Sequence, residues 1–215
     1  DFWAPEVYHI NNKFYLFYTA KSSTTMGVGV AISDSPLGPF NDGPNNPLTP
    51  SEWKCLDGHV YTDTEGKSYL FYVHDWLQCI NGELYIQPLS TDLLSLEGKP
   101  CLLFKARDAE WVTPDRQGGV VDGPSLLVRD GRYYLMWSSY STEGYCITYA
   151  VSDSLFGRYI QSSKPIISCD GGHNSWFIGK DGVCYTCYHA PNSKKNERLV
   201  ISKIVFDETG QLKIK

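Results

Sequence analysis

Long helical patterns are missing from this chain of 215 residues. No stretch of useful length repeats apolar residues at three- and four-residue spacing, which argues against a helical bundle or an alternating α/β build. A run of about 18 apolar residues, the minimum for a membrane-crossing helix, is also missing. Basic runs never exceed two residues, and 19 Lys and Arg stand against 24 Asp and Glu for a net charge of −5. Such a surface has no footprint for a phosphate backbone. Neither nucleic acid nor membrane is therefore expected as a partner, and the oligomeric state is left open. No leader pattern precedes the first strand, and the seven cysteines are odd in number and scattered. Both point to a reducing, cytoplasmic compartment. Cys184 and Cys187 alone have C-x-x-C spacing; in a strand their sulfurs would face opposite ways, which suits neither zinc nor a disulfide. All seven are expected as buried thiols.

Aromatic residues are abundant instead: 15 Tyr, 9 Phe and 6 Trp make 14% of the chain, a composition that favours strands and sugar-stacking surfaces. One arrangement recurs four times: a short apolar strand, a turn rich in Gly or Asn, and an aromatic strand. The copies are Val7 to Tyr18, Val60 to Tyr72, Ser125 to Trp137 and Ser175 to Tyr185, with Asp-Gly at two tips. These are hairpins. A third strand follows, and Asp34 to Phe40 and Asp153 to Tyr159 then close their units with similar turns. Three to four strands per unit, at a period of about 50 to 65 residues, describe propeller blades. The fold class is all-β, a single domain with blades over approximately 1–50, 51–105, 118–165 and 170–215. The terminal strand 199–206 is expected at an open edge.

Counting back twelve residues from Tyr69, Tyr134 and Tyr185 lands on Asp57, Asp122 and His173; in the shorter first copy the slot falls on Ala4, beside Pro5 and Glu6. Innermost blade strands begin at the central channel, so this slot should face the axis. Two carboxylates and an imidazole would then converge. Carboxylates brought together in a cleft are the parts of acid/base chemistry, because repulsion and desolvation raise the pKa of one of them. A lone Asp-Gly would be read as a turn cap; a set shared between blades favours function.

Trp3-Ala4-Pro5-Glu6-Val7, Leu56-Asp57-Gly58 with Asp63 and Gly66, Val121-Asp122-Gly123-Pro124 and Gly172-His173 together resemble glycoside hydrolase family 43, five-bladed propeller enzymes of the arabinanase, arabinofuranosidase and xylosidase group. The resemblance spans essentially the whole chain and implies a five-bladed architecture, four blades of which are recognisable here, the first being missing. It implies Asp122 as general acid in place of the family's usual Glu, Asp57 as the carboxylate that modulates its pKa, and His173 beside a central metal or water. The family's base belongs to an Arg-Asp-Pro-like motif of the first blade, which this sequence does not contain.

The implied activity is hydrolysis of α-L-arabinofuranosyl or β-D-xylosyl linkages in plant-type polysaccharides or oligosaccharides, by an inverting mechanism in which an acid and a base act from opposite faces of the sugar. A catalytically silent carbohydrate-binding propeller is the alternative. Trp3 and Trp76 are candidate stacking platforms; Glu6, His74, Asp75, Ser138, Tyr145 and His189 are candidate polar or lining contacts. No cofactor is required on this reading, and a structural Ca²⁺ at His173 on the propeller axis is the metal it allows. The partner is a carbohydrate substrate.

Overall fold

The computed structural model describes residues 1–113 and 118–215. Among these described residues, sixteen strands form four antiparallel sheets, each a meander whose order in space follows the chain. The first sheet holds β1 (Phe2–Ile10), β2 (Lys13–Lys21), β3 (Met26–Ser33) and β4 (Asn41–Asp42); the second holds β5 (Cys55–Thr62), β6 (Ser68–His74), β7 (Glu83–Pro88) and β8 (Cys101–Lys105). The third consists of β9 (Asp122–Arg129), β10 (Arg132–Ser141), β11 (Gly144–Ser152) and β12 (Ile160–Gln161), and the fourth of β13 (Gly172–Ile178), β14 (Cys184–Ala190), β15 (Arg198–Phe206) and β16 (Leu212–Ile214). These are four propeller blades. A single helical turn, α1 (Trp76–Cys79), interrupts the second, capped by the Asp75 side chain accepting from the Leu77 amide at 3.0 Å.

Strand alternation explains how the blades stack. Every residue of β6 is buried, because its two faces serve different neighbours. Leu70 and Tyr72 enter a cluster with Tyr15, Phe17, Val28 and Val30 of the first blade. Tyr69, Phe71 and Val73 point the other way, into a cluster with Leu126, Leu135 and Trp137 of the third. The same rule splits β10: Leu135 and Trp137 pack on the second blade, while Tyr134 and Met136 join Ile204 and Leu212 of the fourth. Period-2 geometry thus turns one strand into the glue of two junctions. Burial of each large side chain contributes about 1.5 to 3 kcal/mol before entropy is subtracted.

Three apolar clusters therefore fill three junctions, 1–2, 2–3 and 3–4. Among the described residues no such cluster joins the fourth blade to the first. The strands flanking that opening carry exposed apolar groups instead: Phe2, 79% exposed, and Val7 on β1, and Leu199, 70% exposed, and Ile201 on β15. A cavity of about 780 Å³ lies there, reached by Glu6, Tyr8, His173, Trp176, His189 and Leu199.

Two expectations are corrected. The strand over 199–206 is interior to its sheet: β15 pairs with β14 through Arg198 to Lys203 and with β16 through Ile204 to Phe206. Its exposure comes from an uncovered face. The cysteines are all free, but only Cys55 and Cys146 are buried; Cys169, in the turn before β13, is exposed, and the other four are half-buried.

Candidate active site

Each blade's innermost strand contains one bulge near its start, where two residues oppose one on the neighbouring strand. The shifts fall between Trp3 and Glu6, Leu56 and His59, Asp122 and Ser125, and Gly172 and Ser175. The first bulge residue takes a left-handed backbone in every blade: φ is 46° at Ala4, 55° at Asp57, 50° at Gly123 and 54° at His173. Bulges re-aim side chains, and these turn the chain toward the central axis.

The third blade corrects the sequence register by one residue. Its hairpin pairs Leu127 with Tyr134, seven apart, as the first pairs Tyr8 with Tyr15; the second and fourth pair Tyr61 with Tyr69 and Phe177 with Tyr185, eight apart. Counting back twelve from Tyr134 therefore overshoots. The bulge residue is Gly123, and Asp122 stands where Trp3, Leu56 and Gly172 stand, at the last paired position before the bulge. Asp122 nonetheless reaches the axis. With Trp3, Ala4, Leu56, Asp57, His173 and His189 it lines a cavity of about 290 Å³.

A relay of hydrogen bonds fixes these bulges. The Asp57 amide donates to Thr19 Oγ1 of the first blade at 2.8 Å, the Gly123 amide to Asp57 Oδ2 at 2.9 Å, and the His173 amide to Ser138 Oγ of the third blade at 2.8 Å. In each case a side chain of the preceding blade accepts from the bulge of the next. Gly123 has a second reason to lack a side chain: a Cβ there would press on His173 Cα and Cγ at 3.0 Å.

Asp57, 5% exposed, lies with Oδ2 3.7 Å from His173 Nδ1. Asp122 Oδ2 accepts from the Tyr145 hydroxyl at 2.9 Å. Burial and the nearby Asp57 charge push the Asp122 carboxyl up to about 7, against the opposing pull of His173 and the Tyr145 hydrogen bond. With Oδ2 occupied by a donor, Oδ1 is the atom left to carry a proton. Tyr145 stacks on His189, centroids 5.7 Å apart at 18°, and burial together with the Asp122 charge raises its own hydroxyl well above the ordinary value. Asp122 is thus the carboxyl of the pair that holds a proton near neutrality.

Other candidates lie at varied distances from this centre. Trp3 lines the axial cavity and is 40% exposed, with Lys21 Nζ 5.4 Å from its ring centroid. Ser138 is fully buried and supports His173. His189 lines the cavity and shares a hydrogen bond with Asn192 at 3.1 Å. Trp76 packs against the core between blades 2 and 3, Asp75 caps α1, and His74 is turned toward Gln78 and Glu83; none of the three is brought to the axial cavity.

Glu6 belongs to a network the sequence did not disclose. His59 Nε2 accepts from the Leu126 amide at 3.1 Å, so its proton sits on Nδ1 and is donated to Glu6 Oε2 at 3.0 Å. The Tyr8 hydroxyl also donates to that oxygen and accepts from the Val60 amide. Burial pushes the Glu6 carboxyl up, but His59 and Tyr8 outweigh it and hold the group below its ordinary value. One imidazole thereby ties blades 1, 2 and 3 together. Its only sequence signal was its place one residue past Gly58 on the strand that carries Asp57. Thr19 had none, since its role depends on a neighbouring blade.

The axial groups do not form a close set of metal donors. Among the described residues Asp57, Asp122 and His173 do not bring three donor atoms within 4.8 Å of one another, and Oδ2 of each aspartate already accepts a hydrogen bond. A hard cation that takes six to eight oxygens does not fit by direct ligation, and no chemical step is assigned to one.

Comparison with known proteins adds the following. The family model described as "Glycosyl hydrolases family 43" matches residues 1–212. An endo-arabinase structure from Bacteroides thetaiotaomicron superposes with a TM-score of 0.91 at 40% identity, covering 97% of this chain and 76% of that one. An endo-1,4-beta-xylanase structure from the same organism gives a TM-score of 0.83 at 30% identity, covering 100% and 75%. Among curated sequences, a beta-D-galactofuranosidase of Aspergillus niger is 26% identical over 214 residues, 93% of this chain. The chain spans 58% of that relative's length.

Proposed function

Because the chain belongs to glycosyl hydrolases family 43, we propose that its axial cavity serves the hydrolysis of glycosidic bonds, with Asp122 as general acid. The observation that carries this reading is the division of labour between the two aspartates. A carboxyl pushed up to about 7 can deliver a proton to a leaving glycosidic oxygen near neutral pH and still be regenerated. Asp57 keeps it there by charge repulsion, and Tyr145 orients it by holding Oδ2 so that Oδ1 faces the substrate. As the scissile bond breaks, the proton passes from Oδ1 to the departing oxygen and the negative charge moves to Asp122, where the Tyr145 hydroxyl and His173 offset it. Trp3 and His189 border the space a sugar ring would occupy. The substrate class proposed is α-L-arabinofuranosyl or β-D-xylosyl linkages of plant-type glycans, supported by the arabinase and xylanase names among the similar structures.

Inversion also needs a carboxylate base roughly 6.5 to 9.5 Å from the acid. Among the described residues, Asp57 and Asp122 are the only carboxylates lining the axial cavity, and Glu6 is committed to His59 and Tyr8. That observation favours a second reading, a propeller that binds carbohydrate without turnover.

Hydrolysis of nitrophenyl α-L-arabinofuranoside, β-D-xyloside and β-D-galactofuranoside by the full-length protein separates the two. Turnover that Asp122→Asn abolishes and Asp57→Asn lowers supports the hydrolase. Absence of turnover on every substrate, with sugar binding retained, would leave the silent propeller.

A further inference from the structure

On the second blade, away from the axial cavity, His74 at the end of β6, Cys79 at the end of α1 and Glu83 at the start of β7 bring Nδ1 or Nε2, Sγ and a carboxylate oxygen within 4.8 Å of one another. The hydrogen bonds around them leave a space that calls for positive charge. Gln78 is oriented by its surroundings: its Oε1 accepts from the Lys54 amide at 2.6 Å and its Nε2 donates to the Glu52 carbonyl at 3.0 Å. His74 Nε2, 3.0 Å from that same Oε1, must therefore be a donor. In a neutral ring this puts the lone pair on Nδ1, aimed at Glu83 Oε2 only 3.1 Å away. Two acceptors cannot satisfy each other; a second ring proton or a metal cation has to lie between them.

Cys79 adds a third donor beside them. Its Sγ is surrounded by the carbonyl oxygens of His74, Asp75 and Asn81 at 3.3 to 3.4 Å, and a single S–H can serve only one of them. The sulfur thus stands within 4.8 Å of a His74 ring nitrogen and a Glu83 carboxylate oxygen. The cage is also held in place. The Trp53 indole stacks on the His74 ring at 4.6 Å and 7°, the Tyr85 hydroxyl donates to Glu83 Oε2 at 2.8 Å, and Lys105 Nζ holds the other oxygen, Oε1, at 2.7 Å. Supported ligands of this kind are what a metal site needs beyond its donors.

We propose that His74 Nδ1, Cys79 Sγ and Glu83 Oε2 form a zinc site. The donor set of one nitrogen, one sulfur and one oxygen suits a borderline divalent ion in four-coordination, with a fourth position open to water. Binding displaces the thiol proton to solvent and forms a Zn–thiolate bond, with no change of oxidation state. The ion would pin α1 and the turn after it to β6 and β7. It plays no part in the chemistry proposed at the axis, so its presence or absence leaves that reading untouched.

Cobalt(II) is the probe, used on full-length protein stripped with a chelator. One cobalt per chain should produce a thiolate-to-metal charge-transfer band in the near ultraviolet, displaced by zinc. Cys79→Ser should abolish the band, and Glu83→Gln should weaken binding by at least about tenfold. If Cys79→Ser fails to fold, alkylation of the unaltered protein decides: zinc should protect Cys79, read by peptide mass, and should leave exposed Cys169 reactive. No band, a band that persists in Cys79→Ser, or no protection of Cys79 would overturn the proposal and assign the space to a proton shared by His74 and Glu83.

Discussion

Replacing Tyr145 with Phe should move the pH dependence of catalysis in a direction the structure dictates. The substitution deletes one hydrogen bond, from the Tyr145 hydroxyl to Asp122 Oδ2 at 2.9 Å, and keeps the ring that stacks on His189. That bond favours the ionised carboxylate, so its loss raises the pKa of Asp122. A hydrogen bond to a charged group contributes about 1.5 to 3 kcal/mol, and one pKa unit corresponds to about 1.36 kcal/mol. Full loss would amount to one to two units; water entering from the cavity restores part, leaving a rise of about one unit. Because the general acid must be protonated in the free enzyme, the basic limb of kcat/KM against pH reports this group. The limb expected at about 7 should therefore move to about 8 in Tyr145→Phe, measured with a nitrophenyl glycoside across pH 5 to about 9.5. Activity at low pH should change little beyond a uniform loss of orientation. A limb that stays in place, or moves down, would refute the assignment of Asp122 as the titrating acid held by Tyr145.

Four further outcomes follow from the same geometry. Asp57→Asn should shift that limb downward, since the Asp57 charge is one of the groups raising Asp122, while lowering turnover. Asp122→Asn should stabilise the fold in a pH-dependent way. The carboxyl's folded value exceeds its unfolded one, so the stability it lends is complete below about 4 and lost as pH rises through about 7; the variant's thermal advantage should grow across that window, to at most about 4 kcal/mol before screening by cavity water. His59→Ala leaves the Leu126 amide without its acceptor and the Glu6 carboxylate without its donor, and should cost about 2 to 4 kcal/mol in urea unfolding. Gly172→Ala places a Cβ against the Tyr145 ring, and should lower activity as Tyr145→Phe does, with an added loss of thermal stability that Tyr145→Phe lacks.

Much of the fold could be read from periodicity. Alternation of aromatic and aliphatic residues, with Asp-Gly and Asn-Asn tips, located the hairpins of all four blades, because strand alternation and turn chemistry are local properties of the chain. The identity of the axial residues was legible for the same reason, since each sits a fixed distance before a recognisable hairpin. That count failed by one residue in the third blade, where the hairpin is a residue shorter and Gly123 takes the bulge. Register depends on which residues pair across the ladder, and pairing is settled by the neighbouring strand.

What only the tertiary structure decided is everything that depends on a second blade. Thr19, Ser138 and His59 act on residues 35 to 67 positions away, too far for any local pattern to mark them. The shift of Asp122 needs Asp57 brought close in a partly desolvated cavity, and no property of Val121-Asp122-Gly123-Pro124 alone contains that charge. The donor cluster of His74, Cys79 and Glu83 spans only ten residues, yet the turn of α1 is what folds its three side chains onto one point. The sequence determined by itself which strands form and which residues they carry to the axis, because those follow from short-range sterics and alternation. The electrostatics that would let two aspartates do different work were decided by packing, because desolvation and Coulomb forces depend on distance in space and not along the chain.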